Sequence, residues 1–200
     1  MSLNWPNRIT LLRLFLLAPL GYCLFQLDED HSFPRRAALC ILIVIAMSDA
    51  LDGYLARRWN QVTLLGTWLD PLADKLVGAI TLVLLAIEQT SVPDYVLPAW
   101  LPVVALGKDV WTVAGAALVR HYAGTVEIRP RIFGKACTAV QFVLVGYCLV
   151  APDVPLKHEI KRLGLSALCW IVAVLAATAA MDYTVQGLRR LRSVQDPPQE

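Results

Sequence analysis

The sequence predicts an all-α integral membrane protein with six transmembrane helices. Of its 200 residues, 57% are hydrophobic and only 17% are charged, whereas a soluble domain carries roughly 45–50% apolar and about 25% charged residues. The apolar residues come in blocks close to the roughly 20 residues that a membrane-spanning helix needs. The net charge of +2 and the lack of a long basic run argue against a nucleic-acid partner.

Six apolar windows are long enough to span a membrane, and short connections containing proline separate them. The windows cover residues 9–27, 37–56, 68–87, 95–119, 134–151 and 163–185. We expect residues 1–192 to form one transmembrane catalytic domain. Residues 193–200, which include Pro197 and Pro198, are expected to form a disordered cytoplasmic tail.

The basic residues predict the orientation, because short cytoplasmic loops are enriched in Lys and Arg. With six spans, most of the Lys and Arg residues fall on the side of the membrane that also holds both termini. They are Arg8, Arg57, Arg58, Arg120, Arg129, Arg131, Lys135, Arg189, Arg190 and Arg192. We therefore expect both termini to be cytoplasmic, in the inner membrane if the host is a bacterium. The five cysteines lie in apolar segments without C-x-x-C spacing, which indicates small core residues.

Four aspartates lie where the second predicted span ends and the third begins. The first helix carries Asp49, Asp52, Gly53 and Ala56 at i, i+3, i+4 and i+7, and the second carries Gly66, Asp70 and Asp74 at i, i+4 and i+8. Such spacing places each set on one face of its helix. Because the loop between the spans is short, we expect antiparallel neighbours whose carboxylates meet at similar depth, in a crevice open to the cytoplasm.

Four carboxylates inside apolar spans predict a divalent-metal site. Ionisable side chains at membrane depth are costly and usually functional, and oxygen donors without His or Cys suit Mg²⁺, Mn²⁺ or Ca²⁺. Two such ions suit attack on a phosphorus that bears a pyrophosphate leaving group. A structural alternative is that Asp70 caps a helix before Pro71 and that Asp52–Gly53 forms a turn.

A divalent-cation transporter is the alternative from another functional class, since acids within the membrane also mark ion pathways. It requires polar residues along the full depth of the membrane. Residues 37–46 and 82–86, in the outer halves of two spans, are nearly all apolar, so the sequence favours an enzyme.

The motif D-x2-D-G-x2-A-R-x8-G-x3-D-x3-D, from Asp49 through Asp74, resembles that of the CDP-alcohol phosphatidyltransferase family without a departure. Eight fixed residues over 26 positions make this pattern specific. The resemblance extends to Asn4-x-Pro6-Asn7-x-x-Thr10-x-x-Arg13 and to Gly134-Lys135-x-x-Thr138-Ala139-x-Gln141. It implies the family fold of six transmembrane helices in a homodimer.

The resemblance also implies roles for individual residues. Asp49, Asp52, Asp70 and Asp74 would hold two divalent ions, Mg²⁺ or Mn²⁺, and Asp74 would act as the general base. The CDP moiety of CDP-diacylglycerol would contact Asn7, Thr10, Asp52, Gly53, Ala56, Arg57 and Gly66. The reaction would transfer the phosphatidyl group to an acceptor hydroxyl and release CMP.

The acceptor is predicted from the fourth span and the residues after it. Lys108–Asp109 stands where phosphatidylglycerophosphate synthases, which use glycerol 3-phosphate, typically carry Arg-Glu. The surrounding residues look more like the eukaryotic-type cardiolipin synthases, which use phosphatidylglycerol. The residues expected to bind the acceptor phosphate are Lys108, Asp109, Arg120, Arg131 and Lys135. For Arg120, contact with anionic lipid headgroups is an equal alternative. Arg13, one turn inside the first span, needs an anionic partner unless it snorkels to the interface.

Overall fold

A computed structural model describes residues 5–27, 32–59, 64–123 and 132–195, with side chains described at 11–27, 32–48, 73, 75–122 and 132–191. This part of the chain contains six long α-helices and no strand, which confirms the all-α prediction. Two short 3₁₀ helices, Glu88–Thr90 and Ala151–Asp153, lie in the connections. The helices are α1 (Trp5–Phe25), α2 (Ser32–Trp59), α3 (Leu64–Leu85), α4 (Trp100–Ala123), α5 (Ile132–Val150) and α6 (His158–Gln195).

Length and composition agree with a location in the membrane. Within the described residues, Trp100–Tyr122, Ile132–Asp153 and His158–Leu191 are long and apolar enough to cross a bilayer, and Leu11–Phe25 and Lys75–Leu85 form shorter apolar helices. Large apolar side chains also point away from the protein, among them Phe15 and Val103, which are 75% and 70% exposed. Soluble monomers rarely expose large contiguous apolar patches, which mark contact with membrane or partner.

Helix α3 lies where two groups of helices meet. Helix α1 packs against α2 and α3, while α4 and α5 both pack against α6. Helix α3 also contacts α4 and α5. Buried apolar residues from five helices form the core: Leu20, Ile45, Val77, Leu144 and Val172 are each 0% exposed. The helix that carries Asp70 and Asp74 is thus held from several sides.

The fourth span begins five residues later than the window 95–119 predicts, at Trp100. The segment before it is a buried loop, in which Tyr95 and Leu97 are 4% and 1% exposed. The amide of Leu97 donates to the carbonyl of Leu85 at 2.9 Å, and Asp94 adopts a positive φ of 66°, which Asp tolerates better than most residues. Burial of a loop, and not helix formation, explains why this stretch is apolar.

The other helices begin before their predicted windows, because a window records apolar residues and not helical backbone. Helix α6 is the clearest case: it begins at His158 and continues to Gln195. Its last three residues lie in the segment 193–200 that we expected to be a disordered tail, and residues 196–200 lie outside the described part. Of the five cysteines, Cys137, Cys148 and Cys169 are buried, whereas Cys40 is exposed.

At the end of α2 opposite the acidic motif, Arg35 joins α2 to the end of α5. Its Nη1 donates to the carbonyl of Leu149 at 2.7 Å, and its Nη2 lies 2.6 Å from Oδ1 of Asp153. The Arg36 Nε lies 3.7 Å from Oδ2 of the same carboxylate. We call Arg35, Leu149 and Asp153 the distal clamp. An arginine here compensates both the unpaired carbonyl near the end of α5 and its partial negative charge.

Candidate active site

The backbone of the acidic motif is helical on both sides of the loop. Residues Asp49, Asp52, Gly53, Ala56 and Arg57 lie in α2, and Gly66, Asp70 and Asp74 lie in α3. Asp52–Gly53 is therefore not a turn, and Asp70 does not cap a helix, because α3 begins six residues earlier at Leu64. Both structural alternatives are wrong. The expected stripes keep their helical spacing, while their side chains and their mutual distances lie outside the described part.

Arg13 in α1 is completely buried, at 0% exposure. Snorkelling is therefore wrong as an account of this residue, because a snorkelling side chain keeps its charged end in water. The guanidinium takes part in at least one polar or electrostatic interaction. Because α1 packs against both α2 and α3, this cation lies on the helix that borders both halves of the motif. Asn7 and Thr10 precede it on α1, with side chains outside the described part.

Lys75, which directly follows Asp74, connects the acidic helix to α4. Its Nζ lies 3.7 Å from Oδ1 of Asp109, and the Nζ of Lys108 lies 3.1 Å from the same oxygen. The Lys108 side chain is only 7% exposed, and a buried charge needs an opposite charge or hydrogen bonds near it. Lys75, Lys108 and Asp109 form what we call the central polar cluster. Its three charged groups sum to +1.

Helices α5 and α6 complete the surroundings of this cluster. Cys137 and Tyr183 both lie within electrostatic range of Lys108 and Asp109. A β-carbon on Gly134 would lie 3.3 Å from the Tyr183 hydroxyl oxygen, so the glycine allows the tyrosine to pack closely on α5. Four helices, α3 to α6, therefore meet around the cluster. One of its members, Lys75, directly follows Asp74 in the chain.

Gln141 is a functional candidate to which sequence reasoning gave no role. It is 6% exposed, and its Oε1 lies 3.6 Å from the position that a β-carbon would take on Gly78. Gly78 follows Asp74 by four residues and continues the stripe of Gly66, Asp70 and Asp74. The sequence offered one indication of this contact, a glycine at position 78, the next position on the face of Gly66, Asp70 and Asp74. Only the structure shows which residue packs against that glycine.

The residues expected to bind the acceptor phosphate do not all lie together. Lys108 and Asp109 are brought together, so they form an ion pair and not a purely cationic site. Arg120, near the end of α4, and Lys135, in the first turn of α5, are both exposed. Arg131 lies outside the described residues.

The donor set of the acidic motif fits a hard divalent cation, since it offers carboxylate oxygens and neither His nor Cys. Among the residues whose side chains are described, no group of three metal-ligating side chains occurs. The four aspartates fall outside that set, so their candidacy rests on their residue type and helical spacing.

Comparisons with known proteins agree with the motif. The family model for CDP-alcohol phosphatidyltransferases matches residues 3–186. A human cardiolipin synthase (CMP-forming) is 30% identical over 96% of this chain, which spans 64% of that relative's length. The CDP-diacylglycerol–glycerol-3-phosphate 3-phosphatidyltransferase of Bacillus subtilis is 34% identical over 95% of this chain and 98% of its own. Its Escherichia coli K12 counterpart is 33% identical over 92% and 94%. With its helical acidic motif and a match over nearly its whole length, the chain belongs to the CDP-alcohol phosphatidyltransferase family.

Proposed function

We propose that this protein transfers the phosphatidyl group of CDP-diacylglycerol to an acceptor hydroxyl and releases CMP. The observation that carries the proposal is the helical acidic motif on α2 and α3, within a family match over residues 3–186. The names of the relatives support the same chemistry, because a cardiolipin synthase (CMP-forming) and CDP-diacylglycerol–glycerol-3-phosphate 3-phosphatidyltransferases are both among them.

In this mechanism, Asp74 accepts the proton of the attacking hydroxyl. The acceptor oxygen forms a bond to the phosphorus that carries the diacylglycerol. The bond from that phosphorus to the bridging oxygen breaks, and CMP leaves with the electron pair. Arg57 stabilises the negative charge that develops on the pyrophosphate. Gly53, Ala56 and Gly66 allow the nucleotide to approach the helices closely, with Asn7 and Thr10 beside it.

Asp49, Asp52, Asp70 and Asp74 would hold two divalent ions, Mg²⁺ or Mn²⁺. Such ions supply charge neutralisation to the phosphate oxygens when bound. A chelator should therefore stop CMP release by the purified protein, and added Mg²⁺ or Mn²⁺ should restore it. Full activity in the chelator would contradict the metal requirement.

Phosphatidylglycerol is the acceptor that we favour, with cardiolipin as the product. The central polar cluster, with a net charge of +1, matches the single negative charge of a phosphodiester. Glycerol 3-phosphate is the alternative, favoured by the bacterial relatives that the chain matches over more than nine-tenths of their length. The test is to incubate the purified protein with CDP-diacylglycerol and each acceptor, and to identify the lipid products by mass spectrometry. Cardiolipin from the first supports our assignment, whereas product only from glycerol 3-phosphate supports the alternative.

We further propose that all six helices cross the membrane, that both termini and the active site face the cytoplasm, and that the protein is a homodimer. The basic residues near one set of helix ends support this orientation. Reporter fusions at each terminus test the orientation, and mass photometry in nanodiscs tests the dimer. A flux assay with Mn²⁺ in vesicles, run beside the CMP-release assay, separates this enzyme from a cation transporter.

A further inference from the structure

We propose that Gln141 is an acceptor-binding residue, whose carboxamide binds the second, non-reacting hydroxyl of a glycerol-type acceptor. This inference rests on the proposed function and extends it, because it says how the site recognises its acceptor. The chemical class is a vicinal diol: two hydroxyls on adjacent carbons, one of which attacks the phosphorus.

The position of Gln141 relative to the acidic motif supports this role. Gly78 lies four residues after Asp74, which is about one turn or 6 Å along the same face of α3. The Gln141 Oε1 lies 3.6 Å from the β-carbon position of Gly78. The carboxamide of α5 is therefore next to the continuation of the acidic stripe, at the end away from the loop.

The polar capacity of Gln141 supports it as well. The side chain belongs to a residue that is only 6% exposed, and buried polar groups are nearly always hydrogen-bonded. The hydrogen bond described for it runs from Nε2 to the Sγ of Cys137 at 3.7 Å, and a thiol sulfur is a weak acceptor. A carboxamide offers two donors and an acceptor with two lone pairs. A hydroxyl, which both donates and accepts, complements it fully.

The proposed acceptors carry this chemistry. Phosphatidylglycerol and glycerol 3-phosphate both present a glycerol unit with two adjacent free hydroxyls. When one hydroxyl is placed for proton transfer to Asp74, its neighbour lies one carbon away and needs a partner in an apolar surrounding. Gln141 packs against Gly78, which lies one helical turn from Asp74 on α3, so its carboxamide is suitably placed to provide this partner.

The experiment crosses one change in the protein with one change in the acceptor. Wild type and Gln141→Met, which keeps the length of the side chain but removes its polar atoms, are assayed with the diol acceptor and with the analogue that lacks the second hydroxyl. For phosphatidylglycerol the analogue is phosphatidyl-1,3-propanediol. The matched control is Gln186→Met on α6, where the amide already donates to Asp182 at 3.1 Å.

We expect wild type to prefer the diol by about tenfold or more in kcat/KM, because a buried amide is left unpaired by the analogue. In Gln141→Met the preference should fall to about twofold or less, with the KM for CDP-diacylglycerol unchanged. Gln186→Met should keep the wild-type preference. Gln141→Asn, which retains a shorter amide, should give an intermediate preference. Each preference is a ratio within one preparation, so it does not depend on the fraction of folded protein.

Three outcomes overturn the inference while the proposed function stands: equal use of both acceptors by wild type, an undiminished preference in Gln141→Met, or complete inactivity of both Gln141 variants in folded protein. A residue that only binds the acceptor should leave residual turnover at saturating acceptor. Complete inactivity would therefore show that the amide is needed for more than acceptor binding. Failure of wild type to release CMP with either diol acceptor would instead contradict the proposed function itself.

Discussion

Together with the neighbouring Arg36, the distal clamp contains the same charges as the central polar cluster, two cations and one carboxylate, in different surroundings. At the clamp, the Asp153 side chain is 45% exposed and that of Arg36 is 65% exposed. The buried Arg35 has a second acceptor in the Leu149 carbonyl. In the central polar cluster, Lys108, Asp109 and Lys75 are 7%, 25% and 39% exposed. Each is less exposed than its counterpart at the clamp, so water screens the extra charge less well at the cluster.

This difference indicates different roles. At the clamp, the guanidinium of Arg35 already makes short hydrogen bonds to protein acceptors. It therefore connects two helices and has few donors left to bind a ligand. Two lysines that share one carboxylate at 3.1 and 3.7 Å leave positive charge that an anionic substrate can neutralise. The clamp should therefore influence stability, and the cluster should influence catalysis and acceptor use.

The largest effect should come from Asp74→Asn, which removes the proposed base and keeps the shape of the side chain. Turnover should fall by about 10³-fold, within the usual range for general-base catalysis, measured as CMP release. Asp94→Asn is the matched control, because Asn also tolerates the positive φ of this loop position. Wild-type turnover in Asp74→Asn would remove this residue from the base role.

Asp109→Asn should reduce kcat/KM by about tenfold or more, because Lys108 loses its counterion in a buried position. The equivalent change at the clamp, Asp153→Asn, should leave kcat and KM within about twofold of wild type. Steady-state kinetics of both variants at a temperature where each is folded make the comparison. Equal kinetic effects at the two sites would contradict the distinction between them.

Arg35→Met should lower stability by about 2 kcal/mol, since the Leu149 carbonyl and the Asp153 carboxylate each lose a charged donor. Thermal unfolding in lipid nanodiscs measures the change, and activity per folded protein should remain. Arg36→Met, at an exposed side chain 3.7 Å from Asp153, should cost less than about 1 kcal/mol. A larger loss from Arg36→Met than from Arg35→Met would show that the clamp is assigned to the wrong residue.

A smaller effect than that of Arg35→Met should come from Gly164→Ala, in the contact between α5 and α6 near the clamp. A β-carbon there would lie 2.6 Å from the Tyr147 hydroxyl, which donates to the Lys161 carbonyl at 2.9 Å. Moving this side chain should cost about 1 kcal/mol. Gly146→Ala, with nothing within 4 Å, should be neutral or stabilising by up to about 1 kcal/mol. Stabilisation by both changes would contradict this packing.

Local patterns predicted the helices and the helical placement of the acidic motif. Apolar windows and stripe spacing depend on residues close in sequence, so they gave six helices and placed Asp52 and Asp70 within two of them. Helix boundaries were less predictable, as at Tyr95, where burial of a loop imitates a span.

Contacts between distant residues could not be predicted. Arg35 binds Asp153, which lies 118 residues away. Asp109 on α4 forms an ion pair with Lys75 on α3. Lys108 and Asp109 are adjacent in sequence, and adjacent residues do not face each other on a helix, so their ion pair depends on the length of the lysine side chain. The position of Gln141 against Gly78 likewise follows from the packing of α5 on α3.

The central claim is that the acids of α2 and α3 share divalent ions, and Mn²⁺ binding measured by electron paramagnetic resonance tests it most directly. The variants are Asp52→Asn on α2, Asp70→Asn on α3 and the double substitution. Shared ions predict that each single substitution weakens binding strongly and that the double substitution adds little, because residues acting on one ligand are not additive. Independent, additive effects, or Mn²⁺ binding that neither substitution changes, would contradict the account.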